Sequence, residues 1–498
     1  MQKLSFLLAL LLCNQLFAQL PELNAPRYEL EAHLRFLASD AMMGRKVGEP
    51  GNYMAANYIA SQLQAYGVKA FPEAPNYFQD VALEEVNPPT NASLTVGKQV
   101  YEFKKDFILL IGEGINTKTT AVYAGHGWVD ETSGINDYAG LDVKGKVVFV
   151  VTGLPDDNSP NTSFSSLNAK RLFAQQRGAV ALIELYRVNF PFGFALNYFS
   201  KPSTRLAQES TGPQPTIPYG WLKEKGNDPI ATMVKGTPQK VTMSCSGGNL
   251  VGFKVPNVVG YIEGTDPELA KEYLLVSAHF DHVGVGRAGG GAITETDSIF
   301  NGARDNAIGV SALLLSARTL AQQPPRRSVL FLACNAEEIG LLGSRYYAEN
   351  ALIPLRQVVF NLNVDGAGYN DTTAVAAIGY GRTGTDELVE ASAAALGLSV
   401  IPNPVPDQNL FDRSDNASFS AKGVPSLSLS PGITAFDAEI SKYYHQVADN
   451  PETVNMAYFH RYSMAFAYLA RLIADNSKAP VWISGDQYEK IGAELYGH

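Results

Sequence analysis

Tyr273-Leu274-Leu275-Val276-Ser277-Ala278-His279-Phe280-Asp281-His282-Val283-Gly284 decides how the rest of the chain is read. Its first half is an apolar run, which predicts a buried strand over 273–278. Its second half sets a histidine at the mouth of that strand and a carboxylate two residues on. Neutral imidazole is the commonest metal ligand, and its second ring nitrogen needs a carboxylate or carbonyl to fix the tautomer. One such motif is a weak signal. The weight therefore falls on what stands at the neighbouring strand ends.

Downstream, residues 328–334, 358–364 and 425–429 read as further strands. They alternate with a helix from Ala307 to Leu320, apolar at Val310, Leu313, Leu314, Ala317 and Leu320. A second helix, near Tyr458 to Ala474, groups Tyr462, Phe466, Leu469 and Ile473. Such alternation predicts an α/β fold: a mixed, mostly parallel sheet flanked by helices on both faces. Ligands in that architecture gather beyond the carboxyl ends of the strands.

The chemistry-bearing residues fall at those ends. Asp305 lies in a glycine-containing loop before a helix, Glu337 and Glu338 follow the strand 328–334, Asp365 follows 358–364, and His445 sits in a late loop. Each has an ordinary explanation when taken singly. An aspartate there caps a helix, a glutamate pair suits a solvated helix start, and a histidine among aromatics packs. Together, two histidines and three carboxylates form a ligand set for two divalent ions, and mixed imidazole–carboxylate ligation favours zinc. One carboxylate has to bridge, because dications roughly 3.5–4 Å apart need an anion between them. A glutamate beside a ligand glutamate, itself outside the metal shell, is placed to act as a general base.

Upstream, Tyr28–Leu37 and a stretch from about Asn52 to Tyr66 read as helices covering a sheet. The second carries a stripe of Ala56, Ile59, Leu63 and Tyr66 and stops at Gly67. Neither shows any chemistry. Between Phe78 and Val251 the pattern turns to short strands and turns, with a helix from Asn168 to Arg177 and a strand from Ala179 to Leu185. That block has no His, Cys or carboxylate group at ligand spacing and reads as an inserted accessory domain. The expected division is 1–18 signal segment, 19–80 first part of the catalytic domain, 81–250 insertion, 251–476 catalytic core and 477–498 tail.

The chain has 498 residues, 46% hydrophobic and 18% charged, which describes an ordinary globular protein of several domains. A formal net charge of −10, with no long Lys/Arg run, argues against nucleic acid or an anionic membrane as partner. Met1 to Ala18 carries Lys3 and the apolar stretch Phe6 to Leu12, the pattern of a secretory signal cut near Ala18. That stretch is too short to anchor a protein in a bilayer. The expectation is export, to the periplasm or beyond, with no integral membrane anchor. Beyond that segment only Cys245 and Cys334 remain, too few for a disulfide framework. Cys334 lies in an apolar strand and reads as a buried free thiol.

With these residues in view, the chain resembles the zinc aminopeptidase family that contains aminopeptidase Y, glutamate carboxypeptidase II and glutaminyl cyclase. The resemblance is carried by Leu37-Ala38-Ser39-Asp40 with Gly44-Arg45, by His279-Phe280-Asp281 and by Gly302-Ala303-Arg304-Asp305-Asn306. The Glu337-Glu338 pair, Asn363-Val364-Asp365 and Tyr444-His445 complete it. It implies two Zn2+ per chain, with His279 and Asp365 on one, Glu338 and His445 on the other, and Asp305 bridging. It further implies that Asp281 orients His279, that Glu337 is the base, and that the substrate is a peptide with a free amino terminus. The middle block resembles a protease-associated domain through Asp142-Val143-Lys144-Gly145-Lys146-Val147-Val148 and an alanine-containing helix before Gly178-Ala179.

Three positions depart from the family pattern. Arg304 stands where another aspartate is frequent, and it puts a fixed cation near the site. Gly366 stands where a larger apolar residue is usual, and Asn416 where many members have histidine. A cation at Arg304 keeps a carboxypeptidase in play. A glutaminyl cyclase, which uses one zinc, and a non-catalytic peptide-binding protein are the other rival readings.

Overall fold

The computed structural model describes residues 25–207, 215–225, 229–234, 236–286 and 290–497. The expected signal segment lies outside them. Two compact units emerge, one made of the residues up to 81 together with 254–498, the other of residues 82–253.

In the larger unit seven strands carry the architecture: β1 (Asn249–Ile262), β2 (Tyr273–His279), β3 (Ser328–Cys334), β4 (Val358–Asn363), β5 (Ala374–Ile378), β6 (Ser399–Pro402) and β7 (Ser426–Pro431). They pair in the order β1-β3-β2-β4-β7-β5-β6. The central four run parallel, while β1 and β5 join antiparallel. Every residue of β3, β4 and β7 is buried. That is why β3 reads as a near-continuous apolar run, whereas β4 carries Asn361 and Asn363 and β7 alternates serine with leucine. Along β2, Leu274, Val276 and Ala278 join one core, and Leu275 joins another on the opposite face.

The first face is covered by α1 (Arg27–Leu37), α2 (Pro50–Ala65), α3 (Ile308–Gln322), α5 (Asp386–Ala395) and α6 (Met456–Asp475), and the second includes α4 (Leu342–Glu349). The mixed sheet with helices on both faces is the architecture expected. Cys245 and Cys334 are both buried free thiols. The tail is held to this unit at Arg382: its guanidinium pairs with Asp486 at 2.7 Å and lies over Phe411 at 4.1 Å and Trp482 at 5.2 Å. Among the described residues no helix is long and apolar enough to cross a membrane.

A buried histidine joins α1 to α2. His33 meets the Tyr58 hydroxyl at Nδ1 and the Tyr66 hydroxyl at Nε2, both at 2.8 Å, and Tyr66 in turn donates to Glu29. Both ring nitrogens are satisfied with the imidazole neutral. Burial, with nearby Arg318, lowers its pKa from 6.5 to about 4. Between those values the unfolded chain binds the proton and the folded chain does not, so stability is complete above 6.5 and falls as pH drops toward 4. The shift corresponds to about 3 kcal/mol. Urea unfolding at stepped pH is expected to show a shallower loss over pH 6.5–4 in His33→Asn than in the wild type. Parallel curves would show that His33 is not the group responsible.

Among the described residues the smaller unit holds an eight-stranded sheet in the order 99–101, 91–96, 239–246, 115–123, 147–151, 181–185, 219–222 and 107–111. The strands 147–151, 181–185 and 219–222 are buried throughout and pair parallel. The helix Leu167–Gln176 brings Lys170 to Glu184 at 2.8 Å with both side chains fully buried. Lys170 also donates to the Val151 carbonyl, while Glu184 accepts from the Tyr219 hydroxyl and the Trp221 indole. Satisfied this completely, the pair avoids the penalty of a lone buried charge.

Candidate metal centre

The parallel register decides which side chains meet. Ala278 pairs with Ala333 and His279 with Cys334, while Ser277 pairs with Asn363. The chains leaving the carboxyl ends of β2, β3 and β4 therefore emerge side by side, carrying His279, the Glu337-Glu338 pair and Asp365. Ala336 takes a left-handed backbone conformation (φ 59°), as does His445 (φ 53°). Such strained φ values persist where the surroundings over-determine them. Here one turns the chain into the two glutamates and the other sits at an imidazole of the cluster.

Asp305 lies at the centre. Its Oδ1 is 3.4 Å from His279 Nε2 and its Oδ2 is 3.2 Å from His445 Nε2. His279 Nε2 is also 3.2 Å from Asp365 Oδ1, and His445 Nε2 is 3.1 Å from Glu338 Oε2. Two ligand groups result. His279, Asp305 and Asp365 form one, and His282, Asp305, Glu338 and His445 the other, with the ligand atoms of each within 4.8 Å of one another. The donor chemistry fits zinc: imidazole nitrogens and carboxylate oxygens, with one carboxylate presenting a different oxygen to each group.

The charges are tightly interdependent. Burial opposes protonation of His279, yet Glu337 and Asp365 raise its pKa well above the usual value. Burial likewise opposes His445, but hydrogen bonds to Asp305 and Glu338 push it up to about 10. Burial and the charge of Asp305 oppose ionisation of Glu338, and His282 and His445 nevertheless hold it at about 2. Glu337 goes the other way. Burial first, then the carboxylates of Asp365 and Glu338, raise its pKa well above the ordinary range. Its Oε2 stands 4.0 Å from His279 Nε2, and it belongs to neither ligand group.

Asp281 does something other than the simple orienting expected of it. Its carboxylate is 3.9 Å from His279 Nδ1, and its backbone carbonyl is the nearer contact at 3.3 Å. The carboxylate instead accepts the backbone N–H groups of Glu337 at 3.0 Å and Glu338 at 3.2 Å. It therefore positions the glutamate pair.

Three residues were given no role by the sequence. His282 donates from Nδ1 to Glu338 Oε1 at 2.7 Å, and among the described residues its buried Nε2 has no hydrogen-bond partner. Its signal was present, as a second histidine three residues after the first. Asp449 is buried and accepts the backbone N–H groups of Arg304 and Asp305, fixing the turn 303–307. Arg45, 1% exposed, donates to the carbonyls of Leu37, Phe280, Asn301 and Gly302. It ties the segment after His279 to the loop before Asp305. The Gly44 that precedes it allows a close approach, because a Cβ there would stand 2.4 Å from the Gly284 carbonyl oxygen.

The departures resolve differently. Arg304 is buried away from the cleft. Its guanidinium lies 3.6 Å from the centre of the Tyr443 ring and 4.5 Å from that of Tyr369, and it donates to the Thr453 carbonyl. The cation expected near the site is therefore part of the packing behind it. Gly366 sits against the Arg304 carbonyl and Pro431, and the wall beside it is made by Ala367 and Gly368. Asn416 is buried and donates to the Phe411 carbonyl, bracing the loop before it. The ligand groups line a cleft together with Ile378, Leu410, Ile433 and Phe436.

Comparison with known proteins bears on this geometry. A family model described as "Peptidase family M28" matches residues 257–470, which contain every ligand-group residue above. Over this segment the chain is similar to peptidase family M28. Two curated relatives are vacuolar membrane proteases. This chain is 28% identical to that of Lachancea thermotolerans over 243 residues, 48% of this chain and 22% of the relative. The Saccharomyces cerevisiae S288c protein is 35% identical over 116 residues, 23% of this chain and 10% of the relative. The chain thus spans about a fifth or less of the length of either. Among solved structures, an aminopeptidase from Aneurinibacillus sp. strain AM-1 superposes with a TM-score of 0.50 at 19% identity, covering 92% of this chain and 95% of that one. That likeness is one of fold.

Proposed function

We propose that this chain is an exported di-zinc aminopeptidase that removes the amino-terminal residue of peptides. The observation that supports the reading best is Asp305, with one oxygen toward each of two histidines and an unliganded glutamate, Glu337, beside them. His279 and Asp365 would hold one zinc, Glu338 and His445 the other, and Asp305 both. His282 would brace Glu338. Zinc bound there supplies Lewis acidity, acidifying water and polarising a carbonyl.

The rest of the chemistry belongs to the chain. Asp281 fixes the glutamate pair through two backbone N–H groups, so that Glu337 faces the cleft. Glu337 takes a proton from the attacking water and hands it to the leaving amine, a role served by its raised proton affinity. The Aneurinibacillus protein that shares this fold is an aminopeptidase. We read the unit 82–253 as a protease-associated domain, Met1–Ala18 as the export signal, and peptides, not nucleic acid, as the partners.

The test is a panel of free and amino-blocked peptides assayed on metal-quantified protein. Release of amino-terminal residues from free peptides alone, abolished by chelation and restored by zinc, is expected. Hydrolysis that ignores the amino block overturns the aminopeptidase reading. In the same assay Asp305→Ala is expected to bind fewer than two zincs per chain, because both groups lose a ligand. Two zincs held as tightly as in the wild type would show that Asp305 does not bridge.

A further inference from the structure

The acidic side of the cleft faces a single cationic side chain. Arg413 follows Leu410 in the lining, is exposed, and is the one lysine or arginine among the lining residues. Its guanidinium makes only two long contacts, 3.4 Å from the Gln408 carbonyl and 3.4 Å from the Tyr444 hydroxyl. Among the described residues no carboxylate pairs with it, in contrast to Arg382, nearby in the fold, which has Asp486. Tyr444 stacks on His445 with ring centres 4.2 Å apart. Arg413 therefore stands one tyrosine ring away from a ligand-group imidazole.

Charge balance sharpens the point, and it rests on the proposed function. The carboxylates lining the cleft are Asp305, Glu337, Glu338 and Asp365. Two dications would offset all four. Arg413 then remains as the uncompensated charge in a cleft whose other lining is uncharged, including Ile378, Leu410, Ile433 and Phe436 and the hydroxyls of Ser414, Ser428 and Ser430. An arginine fork without a partner is suited to a carboxylate, which it can grip through two N–H donors.

We infer that Arg413 is a specificity residue that anchors a carboxylate of the peptide substrate while the amino-terminal peptide bond lies at the ligand groups. The carboxylate has two sources, an acidic side chain or the free carboxyl terminus of a very short peptide. Arg413 acts at a distance from the reacting atoms, so its removal alters substrate choice and leaves the chemistry intact.

Matched pairs of peptides separate the sources. Leucyl-alanine is compared with its amide, aspartyl-alanine amide with asparaginyl-alanine amide, and leucyl-aspartate diamide with an otherwise identical peptide bearing a free side-chain carboxylate. KM and kcat are measured for the zinc-loaded wild type, Arg413→Gln and Arg413→Lys. Dissociation constants are measured by calorimetry on zinc-loaded Glu337→Gln protein with and without Arg413→Gln, a readout that needs no turnover. Arg413→Gln is expected to weaken at least one carboxylate-bearing peptide about tenfold, the scale of a charged hydrogen bond. Its neutral partner should stay within about twofold, kcat and thermal midpoint should not move, and Arg413→Lys should retain part of the preference. The responding pair names the source. Equal weakening of charged and neutral peptides, or no change in any pair, overturns the inference. If nothing is hydrolysed, the aminopeptidase reading falls, and the dissociation constants still decide the role of Arg413.

Discussion

Glu337→Gln is expected to lower kcat at least about a hundredfold, the usual order for removing a general base, with zinc content unchanged. Glutamine has the same shape and can keep the same place behind Asp281, whose carboxylate holds the backbone N–H of residue 337 and not its side chain. It cannot accept a proton and pass it on. The carboxylate it replaces is buried, and burial together with Asp365 and Glu338 raises its proton affinity well above that of a free glutamate. Neither ligand group includes Glu337, which is why metal should stay. The measurement is kcat and KM on protein whose zinc is determined in the same sample. A zinc-loaded variant that turns over at near wild-type rate would remove Glu337 from the mechanism. A variant that has lost zinc would place it among the ligands instead.

The same pair of glutamates shows what a linear sequence reveals and what it conceals. The strands β2, β3 and β4 were legible because parallel strands buried on both faces are largely apolar, and the carboxyl ends of such strands are where ligands gather. Hence His279, Glu337, Glu338 and Asp365 could be picked out by position alone. Sheet order could not. Whether β2 lies between β3 and β4 is settled by pairing between distant segments, and the meeting of Asp305 with His445, 140 positions apart, depends on it.

Supporting residues were hidden for the same reason. Nothing local distinguishes Asp449 from any loop aspartate; its role exists only because the turn 303–307 folds over it. The two arginines are the clearest case. Arg304, adjacent in sequence to Asp305, reads as a cation at the site, yet the turn swings its side chain back between Tyr369 and Tyr443. Arg413, more than a hundred residues further on, lines the cleft. Sequence distance and spatial distance run opposite ways for this pair. Asp281 is a milder instance: the spacing His-x-Asp suggested a contact between side chains, and the backbone places the carbonyl there instead.

Arg45 carries the largest expected effect on stability. Arg45→Met should cost at least about 4 kcal/mol, a large part of a total that is typically about 5–15 kcal/mol. The side chain is 1% exposed, and its guanidinium serves four carbonyl oxygens, at 2.6 Å for Leu37 and Asn301, 2.8 Å for Phe280 and 2.9 Å for Gly302. Each buried acceptor left without a donor costs about 1–3 kcal/mol, and methionine offers none. Burial lowers the pKa of Arg45 to about 10, opposed by Asp305, Asp449, Asp281 and Glu338, so the guanidinium stays charged near neutrality. Those carboxylates also gain from a fixed cation nearby. Since Phe280 follows His279 and Gly302 precedes Asp305 by three positions, releasing both carbonyls should loosen the spacing of the ligand groups as well as the fold. Urea unfolding of metal-free protein measures the first consequence, and zinc affinity by competition with a chelator measures the second. Arg45→Lys keeps the charge but cannot reach all four oxygens, so it should fall between wild type and Arg45→Met on both scales and gives a folded sample if methionine does not. If Arg45→Met unfolds within about 1 kcal/mol of wild type and still binds two zincs as tightly, the guanidinium is not what joins the two loops.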